Sequence, residues 1–123
     1  MPNQTRPHWR FEDLEIWQSA ADFAVACHGL GGRLEKRRLY RYAEQLRGAG
    51  LSVPNNIAEG CASPHKAEFR QFLNISRRSL FEDASMLLVF ERMGLVDASE
   101  TTPLLGAADS LSRKITNFSK TIT

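Results

Sequence analysis

Apolar residues along this chain recur at helical rather than strand spacing. Leu14, Trp17, Ala21 and Ala24 form one stripe, and Ile16, Ala20, Phe23 and Cys27 form a second beside it. The pair predicts a first helix that begins near Asp13 and carries an apolar face wide enough for more than one neighbour. Gly29, Gly31 and Gly32 interrupt the pattern, so a second helix is expected from about Glu35 to Ala58. Within it Leu39, Ala43, Leu46 and Gly50 alternate in steps of four and three, and Val53 and Ile57 keep the phase across Pro54. A proline inside a helix removes one N–H and crowds the carbonyl four residues back, at a cost of about 3 kcal/mol. The spacing therefore predicts a helix that continues through Pro54 with a kink, Gly50 yielding to the ring and Gly60 ending the element. Ser52, Asn55, Asn56 and Glu59 share a polar flank of this segment, placed to satisfy freed backbone groups or to hold a partner across a helix interface.

Ser63-Pro64 reads as an N-cap followed by a first helical residue. The third helix it opens carries Phe69, Phe72, Leu73, Ile75, Leu80, Ala84, Leu87, Leu88 and Phe90, and stops near Gly94. Thr102-Pro103 repeats the device, and Leu104, Ala108, Leu111, Ile115 and Phe118 give the spacing of a fourth. No strand pattern occurs. The class is all-α, and the simplest architecture is an antiparallel up-down-up-down four-helix bundle over residues 11–123, preceded by a flexible arm over residues 1–10. The broad apolar faces have two readings: the ordinary wide stripe of a globular helix, or a second face used for oligomerisation.

Composition narrows the function classes. A chain of 123 residues with 42% hydrophobic and 24% charged residues is one folded domain. The absence of a long apolar run or signal-like segment points to a cytoplasmic protein without a membrane partner. Cys27 and Cys61 are too few for a disulfide framework, so reduced thiols are expected. No Cys-x-x-Cys or His-Glu-x-x-His spacing occurs, Cys27 and His28 are adjacent and diverge, and Cys61 and His65 straddle a turn. Gly29 to Gly32 lack the lysine and hydroxyl residue of a phosphate loop. Hence no metal, no cofactor and no enzyme is expected.

The runs Phe11-Glu12-Asp13-Leu14-Glu15-Ile16-Trp17-Gln18, Gln45-Leu46-Arg47 with Ser52-Val53-Pro54-Asn55-Asn56-Ile57-Ala58-Glu59-Gly60, and Glu68-Phe69-Arg70-Gln71-Phe72-Leu73 carry a resemblance. In order and spacing they resemble the small four-helix-bundle proteins first noticed as reading frames in intervening sequences of bacterial 23S rRNA genes. It covers residues 11 to 96, the tail helix matching only in pattern. The resemblance implies an antiparallel four-helix bundle assembled as a homopentamer, and a distant relation to accessory proteins of diversity-generating retroelements, which bind a reverse transcriptase and nucleic acid. The sequence departs from the pattern at Gly48, where a second basic residue is common, at Arg78, where glycine is favoured, and at Asp83-Ala84, where an apolar-acid pair is expected.

The overall charge of +2 hides a local excess: Arg33, Lys36, Arg37, Arg38, Arg41 and Arg47 stand against only Glu35 and Glu44. With Tyr40 and Tyr42 alongside, this segment suits phosphate-backbone contact with RNA or single-stranded nucleic acid. Lys66, Arg70, Arg77 and Arg78 form a second basic stripe. The plainer reading of both is a solvated surface whose arginines pair with acids on neighbouring helices. Arg47 and Glu59 are the best candidates for a buried ion pair, but they lie about three helical turns apart and could be bridged only between subunits or through a bend, so the favoured reading is that Glu59 satisfies backbone or asparagine groups near its helix end. The expected protein is a non-enzymatic homo-oligomer, most simply a pentamer, that acts as a nucleic-acid-associated accessory or scaffold. The alternative is a scaffold for protein partners alone.

Overall fold

The computed structural model describes residues 5–123. A short 3-10 turn, Arg10–Asp13, leads into four helices: α1 (Glu15–Lys36), α2 (Tyr40–Ala62), α3 (Lys66–Arg92) and α4 (Ala98–Lys120). No strand occurs among the described residues. Of the expected arm, residues 1–4 lie outside the described residues. From Arg6 onward the segment makes contacts: Arg6 pairs with Glu12 at 2.7 Å, Trp9 stacks on Phe11, and Arg10 donates to the carbonyl of Cys61 at 2.6 Å.

Several helix ends differ from the sequence expectation, each for a local reason. Gly29, Gly31 and Gly32 do not end the first helix; they lie inside α1. Gly31 is a packing notch, since a Cβ there would sit 2.8 Å from Nε of Arg47, which crosses from α2. The real break falls at Arg37 to Leu39, where the N–H of Leu39 bonds the carbonyl of Leu34 at 3.0 Å and that of Arg38 bonds Glu35 at 2.9 Å. This pair of bonds is the Schellman closure, with Arg38 in the left-handed region at φ 64°. The end of α3 uses the same closure, with Gly94 at φ 72° in the corresponding place.

Nor does Gly60 end α2, which runs on to Ala62. Serine 63 does not cap α3 either: His65 occupies the N-cap, and the Ser63 hydroxyl accepts the His65 N–H at 3.1 Å within the connection. Likewise Thr102-Pro103 is not the start of α4, which begins five residues earlier behind an Asp97/Glu100 capping box and carries Pro103 internally.

Each helix packs on its neighbours in sequence, and α4 returns against α1, enclosing one core. Leu34, Leu46, Ile57, Leu73, Leu80, Leu87 and Ile115 are fully buried there, each contributing about 1.5–3 kcal/mol of transfer free energy. The interfaces are stitched by polar contacts at their edges. Glu15 of α1 meets Lys114 of α4 at 2.8 Å, and Arg33 pairs with Glu100. α2 continues through Pro54 as the phase of Val53 and Ile57 predicts, and Pro54 is buried. Beside it the Ser76 hydroxyl donates to the Val53 carbonyl at 2.7 Å, Ser52 and Ser79 share a hydroxyl bond at 2.8 Å, and Asn56 donates to the Ser52 carbonyl at 2.8 Å.

The glycines of α2 separate packing from propensity. Gly60 faces Phe69 and Phe72, where an added Cβ would stand 2.8 Å from both, whereas Gly48 has open space. Gly48→Ala should stabilise the fold by up to about 1 kcal/mol through helix propensity. Gly60→Ala should destabilise it by about 1–3 kcal/mol through overpacking. Urea unfolding of the two variants would measure this, and equal shifts of the same sign would contradict it.

Candidate nucleic-acid interface and assembly surfaces

The ten basic positions singled out in the sequence divide into two populations. Six are engaged within the chain. Arg33 pairs with Glu100, Arg37 donates to the Leu95 carbonyl at 2.6 Å, and Arg47 meets Glu35 at 3.0 Å. Lys66 and Arg70 donate to the carbonyls of Thr123 and Ile122 at 2.6 and 2.7 Å. Arg77 lies with its guanidinium 4.9 Å from the Phe81 ring centre, a cation–π contact. The remaining four, Lys36, Arg38, Arg41 and Arg78, are exposed and make no hydrogen bond or ion pair among the described residues.

Three of those four sit together at the α1–α2 turn. Tyr40, 55% exposed, stands among them, whereas Tyr42 packs on Phe90 at 5.3 Å and belongs to the core. Arg38 owes its position to the left-handed closure of α1, a conformation that costs a residue with a Cβ roughly 1 kcal/mol and that Gly94 adopts without penalty at the other closure. The turn is thus a small cationic and aromatic surface that the bundle itself does not consume.

The flank around Pro54 also divides. Asn56 donates to the Ser52 hydroxyl, which in turn shares a bond with Ser79, Gly50 packs on Cys27, and Gly60 on α3, while Asn55 and Glu59 are exposed. The Arg47–Glu59 ion pair is not formed: Arg47 pairs with Glu35 in the last turn of α1, because its side chain runs over Gly31 toward the end of that helix. Next to this flank an apolar groove of about 390 Å³ opens between α1 and α2, lined by Trp17, Ala21, Val25, Leu51 and Pro54. Val25 and Leu51 are 71% and 54% exposed, and Phe81, Leu88 and Met93 leave apolar surface on α3 as well.

One buried group was visible in the sequence only as a departure from a pattern. Asp83 is wholly buried and neither carboxyl oxygen has a hydrogen-bond partner. Burial, with the nearby Glu82 charge adding to it, pushes its pKa up to about 8. Burial first and Asp83 second push the Cys27 thiol up to about 12, which leaves it an unreactive core residue. Both cysteines are free. Among the described residues no group of three His, Cys, Asp or Glu side chains is placed to hold a metal ion, and no helix is long and apolar enough to cross a membrane.

The architecture is that of a small all-helical protein, four helices about one core with unspent cations at a turn and unspent apolar surface on two faces. The model of the 23S rRNA-intervening sequence protein family matches residues 12–117, and the chain belongs to that family. No curated protein matches the chain.

Two measurements follow from this geometry. In the folded chain Asp83 holds its proton up to about pH 8, whereas in the unfolded chain it releases it near pH 4. Its contribution is therefore fully present below pH 4 and is lost as pH rises toward 8, at about 1.4 kcal/mol per pH unit. Asp83→Asn should flatten that decline in urea unfolding between pH 5 and 8, and an unchanged slope would contradict it. Arg38→Gly should raise stability by about 1 kcal/mol by relieving the left-handed backbone. A lower denaturation midpoint for this variant would show that the arginine side chain has a structural partner.

Proposed function

We propose that this chain is a non-enzymatic, cytoplasmic homo-oligomer, most simply a pentamer, that acts as a nucleic-acid-associated accessory or scaffold protein. In this reading the four helices run antiparallel, α2 bends at Pro54, and kinship extends to retroelement accessory proteins. The pairing of Glu15 with Lys114 and of Arg33 with Glu100 supports the antiparallel course. The α1–α2 groove with Val25 and Leu51 at its rim supports assembly, because exposed apolar surface of this kind is an expected interface.

The observation that carries the nucleic-acid half is the turn of Lys36, Arg38, Tyr40 and Arg41. Its cations are free of carboxylate partners, its ring is open for stacking, and one of its residues is kept in a backbone conformation that glycine would adopt more cheaply. A ring of copies would repeat this turn and multiply a modest charge. The engagement of Arg33, Arg37, Arg47, Lys66 and Arg70 inside the chain favours a second reading, a scaffold for protein partners alone.

Light scattering coupled to size exclusion should give the mass of several chains, and a single-chain mass at micromolar concentration would overturn the assembly. A single-stranded RNA should bind with a steep salt dependence, each phosphate contact contributing about −0.7 to the log–log slope. The combined change Lys36→Gln, Arg38→Gln and Arg41→Gln should abolish that binding without unfolding the protein. Absence of wild-type binding at low salt would leave the protein-scaffold reading in its place.

A further inference from the structure

Between α3 and α4 lies a cleft of about 460 Å³ whose floor is Leu73 and Ile115 and whose rim is cationic. Arg70, one Nη of which donates to the Ile122 carbonyl at 2.7 Å, and Arg77 stand about two turns apart on α3 and share one face, and Lys120 lines the cleft from α4. No carboxylate lines it. Burial closes Nε of Arg77 off from solvent, and it has no hydrogen-bond acceptor, while the guanidinium is held over Phe81. That nitrogen is out of a ligand's reach, but the Nη groups of Arg77 make no hydrogen bond or ion pair among the described residues and are the donors an anion would take. The Asn74 amide and the Ser119 hydroxyl, also at the cleft, make no hydrogen bond among the described residues, whereas the Thr116 hydroxyl is donated to the Ser112 carbonyl at 3.1 Å.

We propose that this cleft binds a phosphate group. Guanidinium forks match the geometry of a tetrahedral oxyanion and keep their charge at any physiological pH, and the ammonium of Lys120 supplies a third positive charge for a dianion. A volume of 460 Å³ exceeds a bare phosphate and leaves room for an organic part over Leu73 and Ile115. The phosphate has two chemical sources, a free phosphomonoester and the backbone of a nucleic acid. The cleft is separate from the α1–α2 turn. Arg70 follows Phe69, which packs on Gly60 near the end of α2, and the stretch of α2 from Tyr40 to Gly60 puts the turn about 30 Å from that end of the cleft.

The test is an NMR titration of the full-length labelled protein with inorganic phosphate and with adenosine 5′-monophosphate, at ionic strength held constant with chloride. Saturable shifts of the Asn74, Arg77, Thr116 and Ser119 amides are expected. Lys120→Gln, at an exposed position, and Arg77→Gln should each weaken binding about tenfold, while Arg92→Gln, exposed on α3 and outside the cleft lining, leaves it unchanged. An oligonucleotide without terminal phosphates identifies the source: shifts of the same amides, displaced by the monophosphate, mean a backbone phosphate, and no shifts mean a phosphomonoester. Binding by none of the three probes, shifts reproduced by chloride alone, or affinity unaffected by both variants would overturn the proposal. The RNA affinity of the α1–α2 turn variants is read separately, so either result stands without the other.

Discussion

α2 lies close to both of its neighbours, and the rest of the bundle is arranged around that closeness. Gly50 comes against Cys27 and Ala24 on one side and Gly60 against Phe69 and Phe72 on the other, at separations that leave no room for a methyl group without a shift. Near-contact of backbones gives the Ser76 hydroxyl a path to the Val53 carbonyl and lets Ser52 and Ser79 meet. Those bonds tie α3 to α2 at the two residues just before Pro54, in the stretch where a proline weakens the ladder within the helix. The same closeness carries Arg47 over Gly31, which fixes where α1 must still be helical.

This explains which parts of the fold were legible in the residue order. The number of helices, their all-α class and the passage of α2 through Pro54 follow from periodicity, because Ala43, Leu46, Val53 and Ile57 are core residues, with Leu39 packed against them, that keep one phase. The ends were harder to read. Glycine signals both a break and a close approach, and at Gly31 and Gly60 the contact partner, far away in sequence, decides between them. Conversely, the true break at Arg37 to Leu39 holds neither glycine nor proline. Its only trace is that the four-three series begins at Leu39, out of phase with Leu34. Asp97 and Glu100 had the spacing of a capping box, but the Thr102-Pro103 pair masked it.

Candidate chemistry was legible by type and not by partner. The excess of arginine between α1 and α2 is real, yet a linear count cannot distinguish Arg37, which closes onto Leu95, from Arg38, its neighbour, whose side chain makes no hydrogen bond or ion pair among the described residues. Burial is equally silent in a local window. Asp83 follows Glu82 in an amphipathic helix, and only the packing of α3 puts one carboxyl group in water and the other in the core. The α3–α4 cleft likewise joins Arg77 to Lys120 across a distance in sequence that no spacing rule reaches.

Asp83 has a consequence for the charge that the protein presents to its surroundings. The formal value of +2 counts this carboxyl as ionised, but near neutral pH it retains its proton, so the folded chain is one unit more positive than its composition states. The unfolded chain recovers the formal value by giving that proton to the buffer. The calorimetric heat of unfolding at pH 7 thus contains the ionisation enthalpy of whatever buffer receives it, and differs between phosphate and Tris by the amount that one proton carries.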